Sequence, residues 1–292
     1  MSLNISSTVR LASGTRMPQY GFGSPSAQFT YDAVTEAIKT GYRHFDTAQM
    51  YGNESEVSRA LHDAIASKIV TRSDLWLTTK WNPPQPLSEP GVQTDKVYAE
   101  LRASYDIFIK DAGLEYIDLM LVHQSRPGPQ GRANHWRALV RAKEEGWVHE
   151  IGVSNHSEIH LAALPAPTPA VNQIEIHPWM QQRPITSYCK AHNIHLTAFC
   201  PLVRIDPLRV ADPVVVRICQ KHGKEWAQVV LRWSLQKGYS PIPQSKSAAR
   251  IHSNADLFDF ELSPDDMEAM EALEVGDEAA ASKAALKEVR GP

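Results

Sequence analysis

The alternation of short apolar runs with amphipathic helical stretches leaves this chain few folds to choose from. A β-hairpin opens it: Thr8 to Leu11, a turn at Ser13-Gly14, then Met17 to Gly23. Strand-like runs follow at Arg43–Asp46, Leu75–Lys80, Ile117–His123, His149–Asn155, Val171–Glu175, His195–Pro201 and Tyr239–Ser245. Helical patterns precede them over Tyr31–Thr40, Glu54–Ser67, Thr94–Ala112, Asn134–Glu145, Glu158–Leu164, Pro184–His192 and Trp226–Gln236. Strands separated in this way pair in parallel through helical crossovers. With the Gly21 region as the first strand there are eight units, the number that closes a barrel. The expected fold is α/β: a (β/α)8 TIM barrel with an N-terminal β-hairpin and an extra C-terminal helix, one domain over residues 1–292.

No Pro/Gly-rich linker divides the units. Pro83, Pro84, Pro86 and Pro90 make one rigid loop and Pro165, Pro167 and Pro169 another, both inside repeating units. Ser263 is an N-cap for the last helix, through Leu273, with Pro264 at its first position and acids in its first turn. The tail after Gly276 is rich in Ala and charge.

Composition narrows the partners. At 42% hydrophobic, 22% charged and a net charge of −3, the chain has a globular make-up without the basic excess of a nucleic-acid binder. No apolar run is long enough to span a bilayer, and the amino end lacks the apolar core of a secretory signal. Cys189, Cys200 and Cys219 are odd in number and fit no metal or disulfide spacing, which suits a reducing, cytoplasmic setting. Asn53 and Asn155 head formal glycosylation triplets but lie within the motifs described next. Nothing in the heptad or strand pattern asks for a second copy, so a monomer is expected.

In such a barrel chemistry gathers where the strands end. Those ends hold Asp46, Lys80, His123, Ser154-Asn155, Gln173 with Glu175, Phe199 to Pro201, and Gln244-Ser245, with Tyr51 a few residues past Asp46. Each taken singly fits a strand cap or a solvated loop residue; together they line a mouth with carboxylate, ammonium, imidazole, phenol and amides. No GxGxxG follows a strand and no Gly-x-Ser-x-Gly elbow exists. No HExxH occurs among the 12 His, and His156 and His160, spaced as on one helix face, suit an exposed face better than a metal site.

The blocks GYRHFDTAQMYGNESEV, LTTKWN, IDLMLVHQ, IGVSN, VNQIEIHP, TAFCPL, IPQSKSAARIHSN and FDFELSPDDMEAM occur in an order that resembles the aldo-keto reductases, from about Val9 to Leu273. The resemblance implies catalytic roles for Asp46, Tyr51, Lys80 and His123. Tyr51 would protonate the carbonyl oxygen of a small-molecule aldehyde or ketone, Lys80 would lower its pKa, Asp46 would hold Lys80, and His123 would orient the oxygen. It further implies a nicotinamide cofactor, its carboxamide gripped by Ser154, Asn155 and Gln173, its ring stacked on Phe199 and its pyrophosphate along Leu202. Ser245, Lys246, Ser247, Arg250 and Asn254 fall in the block expected to hold the adenosine phosphate.

Four departures from the family pattern bear on specificity. Gln244 stands where a Lys commonly contacts the 2′-phosphate, so NADPH is favoured through Arg250 with NADH as a weaker alternative. Gln124 replaces a frequent Trp, and Ser24-Pro25 replaces Thr-Trp, which predicts a wide, polar substrate pocket at Pro25, Trp81 and Gln124, with Trp179 nearby. The loops after His123 and Pro201 are short, and the tail past Gly276 lacks aromatics to close the site, so an open, tolerant site is expected. Two other readings compete: a non-catalytic cofactor-binding regulatory subunit of the same fold, and a metal-dependent barrel hydrolase.

Overall fold

The computed structural model describes residues 3–83 and 92–291. Strands β1 (Thr8–Arg10) and β2 (Arg16–Pro18) form an antiparallel hairpin. Eight further strands form one parallel sheet in chain order: β3 (Gly21–Gly23), β4 (His44–Asp46), β5 (Trp76–Trp81), β6 (Ile117–Val122), β7 (Val148–Ser154), β8 (Val171–Glu175), β9 (His195–Phe199) and β10 (Ser240–Pro241). A parallel bridge between Gly23 and Gln244, with Gly23 N donating to Pro243 O at 3.0 Å, joins last to first. The barrel is therefore closed. A Cβ on Gly23 would lie 2.9 Å from Ile242 O, so the seam needs glycine.

The side-chain period of two sorts the core. In β6, Met120 and Val122 join the large apolar layer beneath the helices, whereas Leu119 and Leu121 point into the barrel. Inside, Leu119 and Leu121 meet Trp76, Val171 and the hairpin's Leu11 and Met17, so the hairpin plugs the end where strands begin. Burying Leu11 and Met17 there contributes roughly 1.5–3 kcal/mol each. Chemistry is left the opposite end.

Boundaries agree with expectation in most units, and the last crossovers differ. The expected strand Tyr239–Ser245 shrinks to Ser240–Pro241 because Pro241 and Pro243 have no N–H to donate to a ladder. Helices at Pro207–Val210, Pro213–His222 and Ala248–Ala255 lie where none was expected. The run Thr94–Ala112 is α-helical to Tyr105 and continues as a π-helical turn, Asp106–Asp111. Ser263 caps the helix Pro264–Glu271 through a reciprocal pair with Asp266. A further helix, Lys283–Arg290, organises the tail. Of the proline loop after β5, Pro84, Pro86 and Pro90 lie outside the described residues. No helix among the described residues is long and apolar enough to cross a membrane.

Candidate active site

Asp46 ends β4, Lys80 sits one residue from the end of β5, and His123 follows β6, so adjacent strands carry them to one rim. Lys80 Nζ donates to Asp46 Oδ1 and, at 2.8 Å, to Thr47 O. Its ammonium lies 5.2 Å from the centroid of the Tyr51 ring, and the Tyr51 and His123 rings meet edge to face at 5.7 Å. The structure thus brings all four residues together.

Tyr51 is placed by a short 3-10 turn, Gln49–Tyr51, ended by Gly52 in the left-handed region at φ 63. Beneath it lies Asn53, fully buried, a residue that entered the sequence reading only as a glycosylation triplet. Its Oδ1 accepts from Thr47 Oγ1 at 2.5 Å, and its Nδ2 donates to Pro25 O at 2.7 Å and to Ser24 Oγ at 3.0 Å. Asn53 therefore joins the Tyr51 turn to the loop after β3. Its only signal in the sequence was an amide between Gly52 and the helix start at Glu54. Burial rules out a glycan there.

Electrostatics fix the charge states. Burial works against both charges of the pair, raising the Asp46 carboxyl and by itself lowering the Lys80 ammonium. For Lys80 the attraction of Asp46 and Tyr51 wins, and it is held above its ordinary value. Burial likewise pushes the Tyr51 phenol up, while the Lys80 charge and hydrogen bond pull it down. The expected net lowering is not found, because the desolvation outweighs Lys80. Although Tyr51 is 41% exposed as a whole residue, burial is the largest influence on its hydroxyl. A phenol held up stays protonated and is an acid rather than a base. His123 is pushed down to about 3, by burial first and the Lys80 charge second, so its imidazole is neutral at neutral pH.

Beside this group lies an amide cluster. Ser154 Oγ donates to Gln173 O at 2.8 Å, and Asn155 Nδ2 donates to His123 O at 3.0 Å. Asn155 adopts φ 61, a left-handed conformation that Asn tolerates better than most residues. Its Oδ1 is buried with no partner among the described residues, an acceptor of the kind a carboxamide N–H₂ would satisfy. Gln173 Nε2 donates to Asp46 Oδ2 at 2.7 Å. Phe199, Leu202, Ser154, Asn155 and Gln173 line the same cavity of about 1140 Å³ as Asp46, Tyr51 and His123. The residues present fit a nicotinamide.

The expected phosphate block lies beyond the described cavity lining. Ser245 is buried, with its Oγ accepting from Ser247 N at 3.1 Å. Ser247 precedes the helix Ala248–Ala255 without a side-chain cap, which leaves the first N–H groups of that helix for an anion. Arg250 is exposed on its first turn, and Lys246 Nζ sits 4.7 Å from the Phe29 ring. Asn254 is buried, and its carbonyl accepts from Tyr20 Oη at 2.6 Å. Gln244 Nε2 is committed to Ser24 O at 2.9 Å across the barrel seam.

Of the expected pocket residues, Pro25 and Gln124 line the cavity and Trp81 does not. Trp81 is buried, its Nε1 donating to Glu100 Oε2 at 3.0 Å, because the strand pleat turns it toward the helices. Trp179 also lies elsewhere, stacked on Trp226 and bonded to Asp212. His156 and His160 are corrected too: both are buried, with His156 Nδ1 on Ser154 O and His160 Nε2 on Gly291 O at 2.9 Å. The closing tail covers that helix face.

The tail also walls the cavity, contrary to the expectation that without aromatics it would leave the site open. Glu175, ending β8, accepts from Ala281 N at 2.5 Å and Ser282 N at 3.0 Å. Glu288 takes Arg126 Nε at 2.5 Å, and its carbonyl accepts from Ser125 Oγ at 2.7 Å. Between these anchors Ser282, Lys283, Ala284, Ala285, Lys287 and Glu288 face the cavity. The wall is built from small and charged side chains.

An eight-stranded parallel barrel with an Asp, Tyr, Lys and His at its mouth defines a class, and comparison with known proteins agrees. The Aldo/keto reductase family profile matches residues 10–204 and 208–275, and the chain belongs to that family. It is 37% identical over 277 residues to an uncharacterized oxidoreductase of Schizosaccharomyces pombe, covering 92% of this chain and 94% of that one. It is also 37% identical to a glyoxal reductase of Bacillus subtilis, covering 94% and 95%. Among solved structures, a Bombyx mori aldo-keto reductase in complex with NADP superposes with a TM-score of 0.85 at 29% identity, covering 98% and 97%.

Proposed function

We propose that this protein reduces aldehydes or ketones to alcohols using NADPH, with Tyr51 as general acid. The observation that carries the reading is the buried Lys80 ammonium, held by Asp46 beneath the ring of a protonated Tyr51, with neutral His123 at its edge. When bound, the reduced nicotinamide supplies a hydride; the chain supplies position and charge. Tyr51 Oη–H donates a proton to the carbonyl oxygen as charge develops there. Lys80 stabilises the phenolate left behind, and Asp46 keeps Lys80 charged and in place. A neutral His123 offers a ring N–H to the same oxygen without bringing a competing acid.

Ser154, Asn155 and Gln173 would hold the carboxamide, and Phe199 would back the ring. Arg250, with Ser245, Lys246 and Ser247 at the start of the helix Ala248–Ala255, favours NADPH over NADH. Arg pairs with phosphate in a fork that the ribose hydroxyl of NADH cannot match. The reduced aldehyde of the Bacillus subtilis relative and the NADP of the Bombyx mori structure support the same reaction class.

The test follows NADPH oxidation with a reactive aldehyde, comparing the native protein with Tyr51→Phe. A loss of about 10²- to 10⁴-fold in kcat, with NADPH affinity retained, is expected for removal of a general acid. A native protein that binds NADPH yet is inert across diverse carbonyls would instead mark a non-catalytic binding subunit.

A further inference from the structure

We infer, on the strength of that reading, that the preferred substrates are carbonyl compounds that also carry a carboxylate, recognised by Lys283 and Lys287. The charges facing the cavity carry the inference. Among the described residues its lining holds four cationic side chains, Arg126, Arg204, Lys283 and Lys287, against two carboxylates, Asp46 and Glu288. Both carboxylates are spoken for. Asp46 pairs with Lys80, and Glu288 pairs with Arg126.

Lys283 and Lys287 have no direct ion pair with a carboxylate among the described residues. Lys283 has a 3.4 Å bond to the Asp277 carbonyl and shares the field of the Asp277 carboxylate, whose direct ion pair is with Arg290. They stand four apart on the helix Lys283–Arg290, so they share a face, and like charges at that spacing destabilise a helix. The helix is held in place by Val289, buried at 2% exposure, and by the pairing of Glu288 with Arg126. The helix therefore does not turn its lysines away from the cavity without breaking its anchors. An anion between them removes the repulsion, and a cleft walled by protein strengthens that attraction relative to open solvent.

The position favours substrate over cofactor. Glu288 docks on Ser125 and Arg126, two and three residues past His123, so Lys287 beside it lies on the His123 side of the mouth, while Lys283 follows the Ser282 anchor on Glu175. Arg204, in contrast, lies in the turn Val203–Ile205 just after Phe199–Leu202, and the phosphate candidates cluster at Ser245–Arg250. A substrate whose carbonyl reaches Tyr51 and His123 would leave its far end toward the tail.

Steady-state reduction of 4-carboxybenzaldehyde and of its methyl ester, with NADPH, tests this in the native protein and in Lys283→Gln/Lys287→Gln. The native protein is expected to favour the acid. In the double variant the acid-to-ester ratio of kcat/KM should fall about tenfold, the scale of a charge-assisted contact, and the fall should lie in KM. Added salt should move the native ratio the same way, and an aldehyde bearing a trimethylammonium group should gain where the acid loses. A ratio unmoved by the double substitution overturns the inference. So does a rise in the NADPH KM shared by both aldehydes, which would assign the lysines to the cofactor. If neither aldehyde is reduced, the proposed reaction itself fails, a result distinct from loss of selectivity.

Discussion

Gln173 Nε2 donates to Asp46 Oδ2 at 2.7 Å, tying the middle of β8 to the end of β4 across the barrel. The other oxygen of the same carboxylate takes the Lys80 ammonium. One residue expected to hold the nicotinamide is thereby bonded to the partner of the Lys80 ammonium. On the proposed reading, cofactor grip and proton donation share a carboxylate.

Replacing Gln173 by Met should accordingly impair both functions. The expected outcome is weaker NADPH binding together with a lower single-turnover rate at saturating NADPH. Fluorescence titration and stopped-flow reduction measure the two separately. A change in affinity alone would show that the Gln173–Asp46 bond does not reach the catalytic group.

Asp46→Asn should act on turnover rather than on the cofactor. It leaves Lys80 buried without its counter-charge, and breaking a buried pair in this way costs about 3–5 kcal/mol. Thermal unfolding should show the loss, and kcat should fall while NADPH affinity holds. An unaltered rate would refute the role assigned to Asp46.

Acid should destabilise the fold before the carboxylates of the surface titrate. His44, His123, His156 and His195 are held down, at about 4, 3, 3 and 4, with burial the first cause in each. Unfolded, an imidazole titrates near about 6.5. Between those values the unfolded chain binds more protons, so stability is full above pH about 6.5 and declines as pH falls toward about 4. Asp46, Glu54 and Asp118, pushed up by burial, act in the opposite sense over fewer groups. Urea midpoints at pH 7.5 and 5.0 should differ; equal midpoints would contradict neutral burial of these rings.

Glu288→Ala should release the tail without unfolding the barrel. The carboxylate accepts from Arg126 N and Nε, and its loss removes both bonds, leaving the tail held there by Ser125 Oγ on the residue-288 carbonyl alone. Faster hydrogen exchange confined to residues 282–290 is the expected sign, alongside a broadened range of accepted aldehydes. Unchanged exchange there would place the restraint at Glu175 instead.

The barrel was readable because a strand end betrays itself locally, by an apolar run stopping at Asp46, Lys80 or His123. Helix starts hidden behind prolines were harder. Asp206-Pro207 and Asp212-Pro213 look like turn residues, yet each Asp caps the helix that its Pro begins, accepting from Leu208 N at 2.8 Å and Val214 N at 3.0 Å. Which tryptophan faces the pocket was undecidable from neighbourhood, since Trp81 next to Lys80 points to the other side of the pleat by necessity. The tail's place was invisible for another reason. Glu288 meets Ser125 across 163 residues, and no periodicity within Lys283–Arg290 names a partner that distant.

The seam between β3 and β10 has one more implication. Gly23, Ile242, Pro243 and Gln244, which join the first and last strands, are also cavity wall. The barrel's thinnest joint, a two-residue strand interrupted by prolines, is thus the one a ligand in the cavity touches from inside. A ligand seated there acts as a splint on the closure of the whole cylinder. Occupancy should then suppress opening of the first and last units together, far from each other in sequence, as a single cooperative event.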